Sequence, residues 1–134
     1  MGSECFRIEL AVRDYECDLQ GVVNNAVYQN YLEHARHEYL KSIGIDFAAL
    51  AAEGINLVVT RVEIDYRAPL TSGDRFVVEV APERISAVRI GFRQDILRIP
   101  DRRIAVKALV TGTALNSRGR PQLPKELDDI IGRS

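Results

Sequence analysis

The stretch Asp14-Tyr15-Glu16-Cys17-Asp18-Leu19-Gln20-Gly21-Val22-Val23-Asn24-Asn25-Ala26-Val27-Tyr28 decides how this chain folds. It places acidic residues in a short loop, then a glycine, two asparagines and the start of an apolar stripe at helical spacing. An asparagine amide oxygen accepts an orphan backbone N–H at a helix start, so Asn24 or Asn25 caps a helix. Val27, Tyr31, Ala35 and Tyr39 then recur every four residues, and Tyr28 and Leu32 widen the stripe. Glu33, Arg36, His37 and Lys41 fall on the opposite side. The helix is expected to reach about Ile43 and to stop at Gly44.

Outward from this helix the periodicity changes. Phe6, Ile8 and Leu10 alternate with Arg7, Glu9 and Ala11, the pattern of a half-buried strand. A short helical turn is expected over 47–52. Residues 56–67 read as a strand, with Leu57, Val59 and Arg61 on one face and Val58, Thr60, Val62 and Ile64 on the other. Ala68-Pro69-Leu70-Thr71-Ser72-Gly73-Asp74 reads as a turn. Three further strands are expected over 75–84, 87–99 and 103–116, with a turn at Pro100-Asp101. A loop over 117–124 and a short helix from Lys125 to Ile131 complete the chain. Consecutive strands joined by tight turns favour an antiparallel sheet, across which the one long helix packs.

Bulk composition narrows the class. A length of 134 residues fits a single domain, 1–134, with no internal repeat or linker. With 46% hydrophobic and 28% charged residues the chain reads as globular. A formal net charge of −1 provides no global field to attract nucleic acid or an anionic membrane. No apolar run approaches the ~20 residues of a membrane span. Cys5 and Cys17 are too few for a disulfide framework, and a reducing cytoplasm is the simplest setting. Residues 1–5 lack the apolar core of a signal peptide, and Gly2 sits in a poor myristoylation context.

The chemistry concentrates at the loop-to-helix junction. Asp18, with an ordinary pKa of about 3.9, is charged at neutral pH. It can attack a carbonyl or deprotonate a water. The Asn25 and Ala26 N–H groups lie in the first helical turn, where donors are unpaired and the dipole is positive. A carboxylate beside such donors makes an acyl-transfer site with no metal or cofactor. Asp14 and Glu16 are competing acids, more simply read as solvated or paired with Arg13. Glu33 is placed to pair with Arg36 or His37 at helical spacing, and Arg36 to orient the loop carboxylates. His34 and His37 stand three apart without further ligands to complete a metal set. Cys17 lacks a positioned His partner. Arg61, Arg67, Arg84, Arg89 and Arg93 are the basic side chains available to an anionic group, or simply solubilise strand faces. Val22, Val23, Val27, Tyr28, Tyr31, Leu57 and Val59 are the candidate acyl-pocket lining, or plain core.

The run Asp18-x-x-Gly21-Val22-Val23-Asn24-Asn25-Ala26-Val27-Tyr28, followed by Tyr31, Glu33 and Arg36, resembles the hotdog-fold acyl thioesterases of the 4-hydroxybenzoyl-CoA thioesterase type. Asp65-Tyr66-Arg67-Ala68-Pro69-Leu70-x-x-Gly73-Asp74 is similar to that family's turn before a strand. Within the superfamily Val12-Arg13-Asp14-Tyr15-Glu16-Cys17-Asp18 and Val22-Val23-Asn24-Asn25-Ala26-Val27-Tyr28 look most similar to plant plastid acyl-lipid thioesterases and their bacterial or cyanobacterial relatives. The dihydroxynaphthoyl-CoA thioesterases of quinone biosynthesis are similar in the same region. The resemblance implies an α+β hotdog fold, an antiparallel sheet wrapped around one long helix. It implies a homodimer with continuous sheets, usually paired into a homotetramer, and a site at the dimer interface.

The activity implied is hydrolysis of an acyl-CoA or acyl carrier protein thioester, with a fatty, β-ketoacyl or polyketide-like chain. An aromatic 1,4-dihydroxy-2-naphthoyl-CoA type substrate is the alternative. Asp18, Asn25 and Ala26 are expected to be catalytic. Gly21, Val22, Val23, Asn24, Tyr28 and Arg36 are expected to bind substrate, with no metal or cofactor. A non-catalytic acyl-binding protein and a dehydratase acting on a β-hydroxyacyl thioester are the rival readings on this fold.

Overall fold

Helix α1 (Asn25–Ser42) begins where Asn24 accepts the Ala26 N–H on its side-chain oxygen at 2.9 Å. It ends two residues before Gly44, whose φ of +95° breaks the helical path. Its buried positions are Tyr28, Tyr31, Leu32, Ala35, Tyr39 and Leu40, one stripe at three- and four-residue spacing. That stripe needs an apolar surface to cover it, and a five-stranded sheet supplies one.

The computed structural model describes residues 5–131. The readings made on the first four residues lie outside that range. The strands are β1 (Phe6–Ala11), β2 (Asn56–Tyr66), β3 (Arg75–Arg84), β4 (Ile90–Ile99) and β5 (Arg103–Leu115). They pair antiparallel throughout, in the order β1-β3-β4-β5-β2. Helices α2 (Phe47–Ala52) and α3 (Lys125–Ile131) are short. Expected and observed boundaries agree closely, except that β4 begins at Ile90 because residues 85–89 form the turn before it. Among the described residues no helix is long and apolar enough to cross a membrane.

Rings fix how α1 sits. Tyr31 stacks at a tilt on Phe76 of β3, with centroids 4.6 Å apart, and Tyr39 meets Phe6 of β1 at 5.7 Å and Phe92 of β4 at 6.3 Å. Tyr28 meets Tyr66 of β2 edge-on at 5.7 Å. Such pairs contribute about 0.5–1.5 kcal/mol each beyond the area they bury. Ala35, fully buried, lets the helix approach closely between them. Under the helix lie Phe76, Val78 and Val80 of β3, Phe92 and Ile96 of β4, and Val106 and Val110 of β5.

The expected alternation of β2 fails at its middle. Val59 pairs with Gly112, but the next paired residue is Arg61, opposite Thr111. Thr60 is therefore an extra residue, a β-bulge that resets the phase. Leu57, Val59, Val62, Ile64 and Tyr66 all share the helix-facing side, paired with core-facing positions of β5. Arg61, Glu63 and Asp65 take the other face, where Arg61 pairs with Glu63 at 3.2 Å and Arg67 with Asp65 at 2.8 Å. β2 is also an open sheet edge, with Val59, Val62 and Tyr66 each 40–50% exposed.

A Cβ on Gly112 would stand 2.8 Å from the Val58 carbonyl oxygen, so β5 and β2 approach closely because this residue has no side chain. Gly112→Ala is expected to lower unfolding stability by about 1–3 kcal/mol through that overpacking. Urea denaturation followed by circular dichroism checks the value.

Candidate active site

The loop before α1 is a built structure. Residues 14–16 form a single 3-10 turn. Cys17 then pairs with Val23, the Asp18 N–H donates to the Val22 carbonyl at 2.8 Å, and the Gly21 N–H donates to the Asp18 carbonyl at 3.0 Å. The result is a tight hairpin with Asp18 to Gly21 at its tip. Gly21 has φ +81°, a left-handed conformation that side chains with a Cβ adopt only at a cost. That glycine turns the chain and sends Val22 and Val23 back toward the helix.

The second family-like segment is the wall against which this hairpin rests. The Val23 N–H donates to the Leu70 carbonyl at 2.9 Å, Val22 bridges to Thr71, and the Ser72 hydroxyl donates to Asp14. The Leu70 N–H donates to the Tyr28 hydroxyl at 2.9 Å. Two stretches more than forty residues apart in sequence thus form one unit.

A cleft of about 240 Å³ opens beside the first turn of α1, lined by Val22, Val23, Asn25, Tyr28, Tyr66, Arg67, Ala68 and Pro69. Asn24 occupies the Ala26 N–H, so Ala26 is not a free donor. The Val27 N–H is satisfied by the Asn24 carbonyl at 2.9 Å. Among the described residues the Asn25 N–H has no such partner, and Asn25 lines the cleft at the positive end of an 18-residue helix.

Asp18 is exposed, and its Oδ1 accepts the Gln20 N–H at 2.8 Å in an Asx turn. Its other oxygen remains available. Asp18 does not itself line the cleft; it stands directly across the hairpin from Val22, which does.

Arg36 departs from its expected role. It does not reach the loop carboxylates; its Nη1 donates to Gln94 Oε1 at 3.1 Å, beneath the helix. Gln94 is fully buried and donates in turn to the Leu32 carbonyl at 2.9 Å. Burial pulls the Arg36 guanidinium below the ordinary arginine value, against the opposing pull of Glu33. No carboxylate among the described residues lies within 4.0 Å of it. Arg36 lines a second cleft of about 250 Å³, with Glu33, His37, Leu40, Phe47, Leu57, Val59, Ile90 and Phe92 among its walls.

The other candidates divide between these clefts and the core. Val27 packs partly buried against the core, Tyr31 is core, and Leu57 and Val59 face the second cleft. His37 rests on Phe47 at 5.4 Å, while His34 lines a separate surface cavity with Tyr31 and Glu16, so the two histidines serve different surroundings. Burial, reinforced by Asp14, Asp18 and Glu16, pushes the Cys17 thiol up and keeps it a poor nucleophile. Arg84 and Arg93 are paired with Asp128 and Glu83.

Sequence reasoning missed three contributors. Gln94 carried a legible signal, because the alternation Ile90, Phe92, Gln94, Ile96 places one amide among core residues. Tyr66 was hidden by the bulge. Glu16, read as solvated or paired with Arg13, does meet Arg13, at 3.9 Å from its guanidinium and 2.8 Å from its backbone N–H, but it is mostly covered and also accepts the Tyr31 hydroxyl.

This sheet, helix and loop define a hotdog thioesterase. The thioesterase-like superfamily, whose model matches residues 12–131, is the family to which this chain belongs. The chain is 44% identical over 126 residues to the acyl-acyl carrier protein thioesterase ATL2, chloroplastic, of Arabidopsis thaliana. That match covers 93% of this chain and 67% of the relative, so the chain spans about two thirds of that protein's length. It is 27% identical to the long-chain acyl-CoA thioesterase FadM of Escherichia coli, covering 88% of this chain and 89% of the relative. Among solved structures, a 1,4-dihydroxy-2-naphthoyl-CoA thioesterase from Synechocystis superposes with a TM-score of 0.89 over 96% of each chain. At 20% identity that likeness concerns the fold.

The Asn24 cap holds both the helix start and the Ala26 donor. Asn24→Ala is expected to reduce folding stability by about 1 kcal/mol, read from a urea titration.

Proposed function

We propose that this thioesterase hydrolyses an acyl-CoA or acyl carrier protein thioester at the junction of the Asp18 hairpin and the first turn of α1. The observation that carries the assignment is the unpaired N–H of Asn25, a residue lining the Val22–Tyr28–Tyr66 cleft, with Asp18 paired across the hairpin to Val22 of that same cleft. The thioester carbonyl oxygen accepts the Asn25 N–H, whose contribution grows as negative charge develops on that oxygen. Losing one such donor typically costs about 2.7–4 kcal/mol of transition-state stabilisation. Ala26, already occupied, supports the dipole and takes no direct part.

Asp18 supplies the negative oxygen. Direct attack expels the thiolate and leaves a mixed anhydride, which water cleaves to the free acid and regenerated Asp18. Alternatively the carboxylate takes a proton from water as that water attacks. Both routes need the same placement. Gly21 and Asn24 bind substrate by shaping the turn and helix start, while Val22, Val23 and Tyr28 contact it in the cleft.

The acyl chain is assigned to the apolar cleft of Leu40, Phe47, Leu57, Val59 and Phe92. Arg36 there uses one donor on a neutral amide and keeps others unspent. An oxygen borne far along the acyl chain satisfies them, since Arg36 lies about 16 Å from Asn25 along α1, which favours a polyketide-like chain over a saturated one.

An exposed Asp18 and an open β2 edge call for a second copy of the chain. An eleven-residue edge strand with an apolar face is a strand-pairing surface. Pairing β2 with β2 of another copy covers Val59, Val62 and Tyr66 and excludes water from the cleft that Tyr66 walls. A homodimer, doubled into a homotetramer, is the assembly this reading requires. Unlinked Cys5 and Cys17 suit a reducing compartment such as the cytoplasm.

Thiol release from a panel of saturated, β-ketoacyl and polyketide-like CoA and carrier-protein thioesters tests the assignment. Asp18→Asn is expected to lower kcat by about 10²–10⁴-fold with little change in KM. Acyl binding without turnover by the parent protein would instead mark a binding protein. Loss of water from a β-hydroxyacyl thioester without free acid would mark a dehydratase.

A further inference from the structure

The segment leading into the Asp18 hairpin is tied down by one side chain. Glu16 Oε1 accepts two hydrogen bonds, from the Arg13 backbone N–H and the Tyr31 hydroxyl, both at 2.8 Å. The Glu16 carbonyl accepts the N–H of Asn24, the residue that caps α1, at 3.1 Å. One residue therefore joins the start of the loop, its end and the second turn of the helix. Only 12% of the Glu16 side chain is exposed, in a stretch where Arg13, Asp14, Tyr15 and Asp18 all face solvent.

Tyr31 is a rigid anchor for this bond. It is buried against Phe76 and meets Tyr28 edge-on at 6.2 Å. Burial and the Glu16 carboxylate together hold its hydroxyl above the ordinary tyrosine value, so it remains a donor at any ordinary assay pH. Asp18 lies two residues past Glu16. Its own side-chain tether, to the Gln20 N–H, is local to the hairpin tip and cannot set where the hairpin stands relative to α1. That relation is set at the hairpin's base, by the Val23 bond to Leu70 and by Glu16.

We propose that Glu16 is a positioning residue for hydrolysis: through Tyr31 it clamps the acid-bearing hairpin onto α1, fixing Asp18 relative to the Asn25 N–H. The inference rests on the reading of Asp18 and Asn25 as the reacting pair. A misplacement of about 1 Å at a reacting group costs roughly 10²-fold in rate, so a side chain that never touches substrate commands a large kinetic effect.

Glu16→Ala removes the acceptor and is expected to lower kcat by roughly 30- to 100-fold, with KM within about threefold of the parent. Tyr31→Phe, which deletes one oxygen and keeps the buried ring, is expected to lower kcat about tenfold. The double variant should be no slower than Glu16→Ala alone, because both act on one bond. Glu16→Gln keeps a neutral acceptor and should recover most of the rate. In an Asp18→Asn background Glu16→Ala should cause no further loss, since no carboxylate remains to be placed.

Parental kcat in folded Tyr31→Phe and Glu16→Ala, with Asp18→Asn inactive, would overturn the clamp and leave the site assignment standing. Equal losses from Glu16→Ala in the parent and in the Asp18→Asn background would also overturn it, by marking a general structural defect. Full activity in Asp18→Asn would remove the site assignment and the clamp together.

Discussion

The seating of α1 on the sheet governs every other feature of this molecule. Tyr31 on Phe76, Tyr39 between Phe6 and Phe92, and Tyr28 against Tyr66 hold an 18-residue helix at a set angle and depth. The positive end of that helix then falls beside the Leu70–Thr71 turn and the Asp18 hairpin. A helix shifted by one turn along its axis would move about 5.4 Å and carry the Asn25 N–H away from both. The aromatic contacts that stabilise the fold are therefore also the ruler that places the donor. Tyr28 does both jobs, since its ring packs on Tyr66 while its hydroxyl accepts the Leu70 N–H.

Much of this was legible before any coordinates. The helix stripe and its asparagine cap are local patterns, and local patterns survive folding when the core agrees with them. The strands of the second half were readable from their alternation and from turns at residues 68–74 and 100–101. The loop-to-helix junction carried the family resemblance, and the turn at 68–74 carried the rest. The two resembling stretches proved to be adjacent in space, through Val23–Leu70 and Val22–Thr71.

What was not legible depends on partners far away in sequence. The bulge at Thr60 arises from how β2 meets β5, and no local signal in residues 56–67 announces it. Its consequence is large, because it brings Val62, Ile64 and Tyr66 to the helix side and leaves Arg61, Glu63 and Asp65 outside. Arg36 was expected to orient the loop carboxylates, yet it donates instead to a buried Gln94 fifty-eight positions on. Glu16 looked like one more loop acid until Tyr31 was found against it. In each case a polar side chain was claimed by a distant partner, a relation that periodicity does not encode.

The account stands or falls on where a bound thioester presents its carbonyl. A crystal structure of the protein with a non-hydrolysable acyl-CoA analogue measures this most directly. The carbonyl-equivalent oxygen is expected at about 2.7–3.1 Å from the Asn25 nitrogen, with an Asp18 oxygen facing the adjoining carbon and the acyl chain beside Arg36. An analogue bound with its carbonyl remote from the α1 N-terminus, and Asp18 still turned to solvent, would contradict the account.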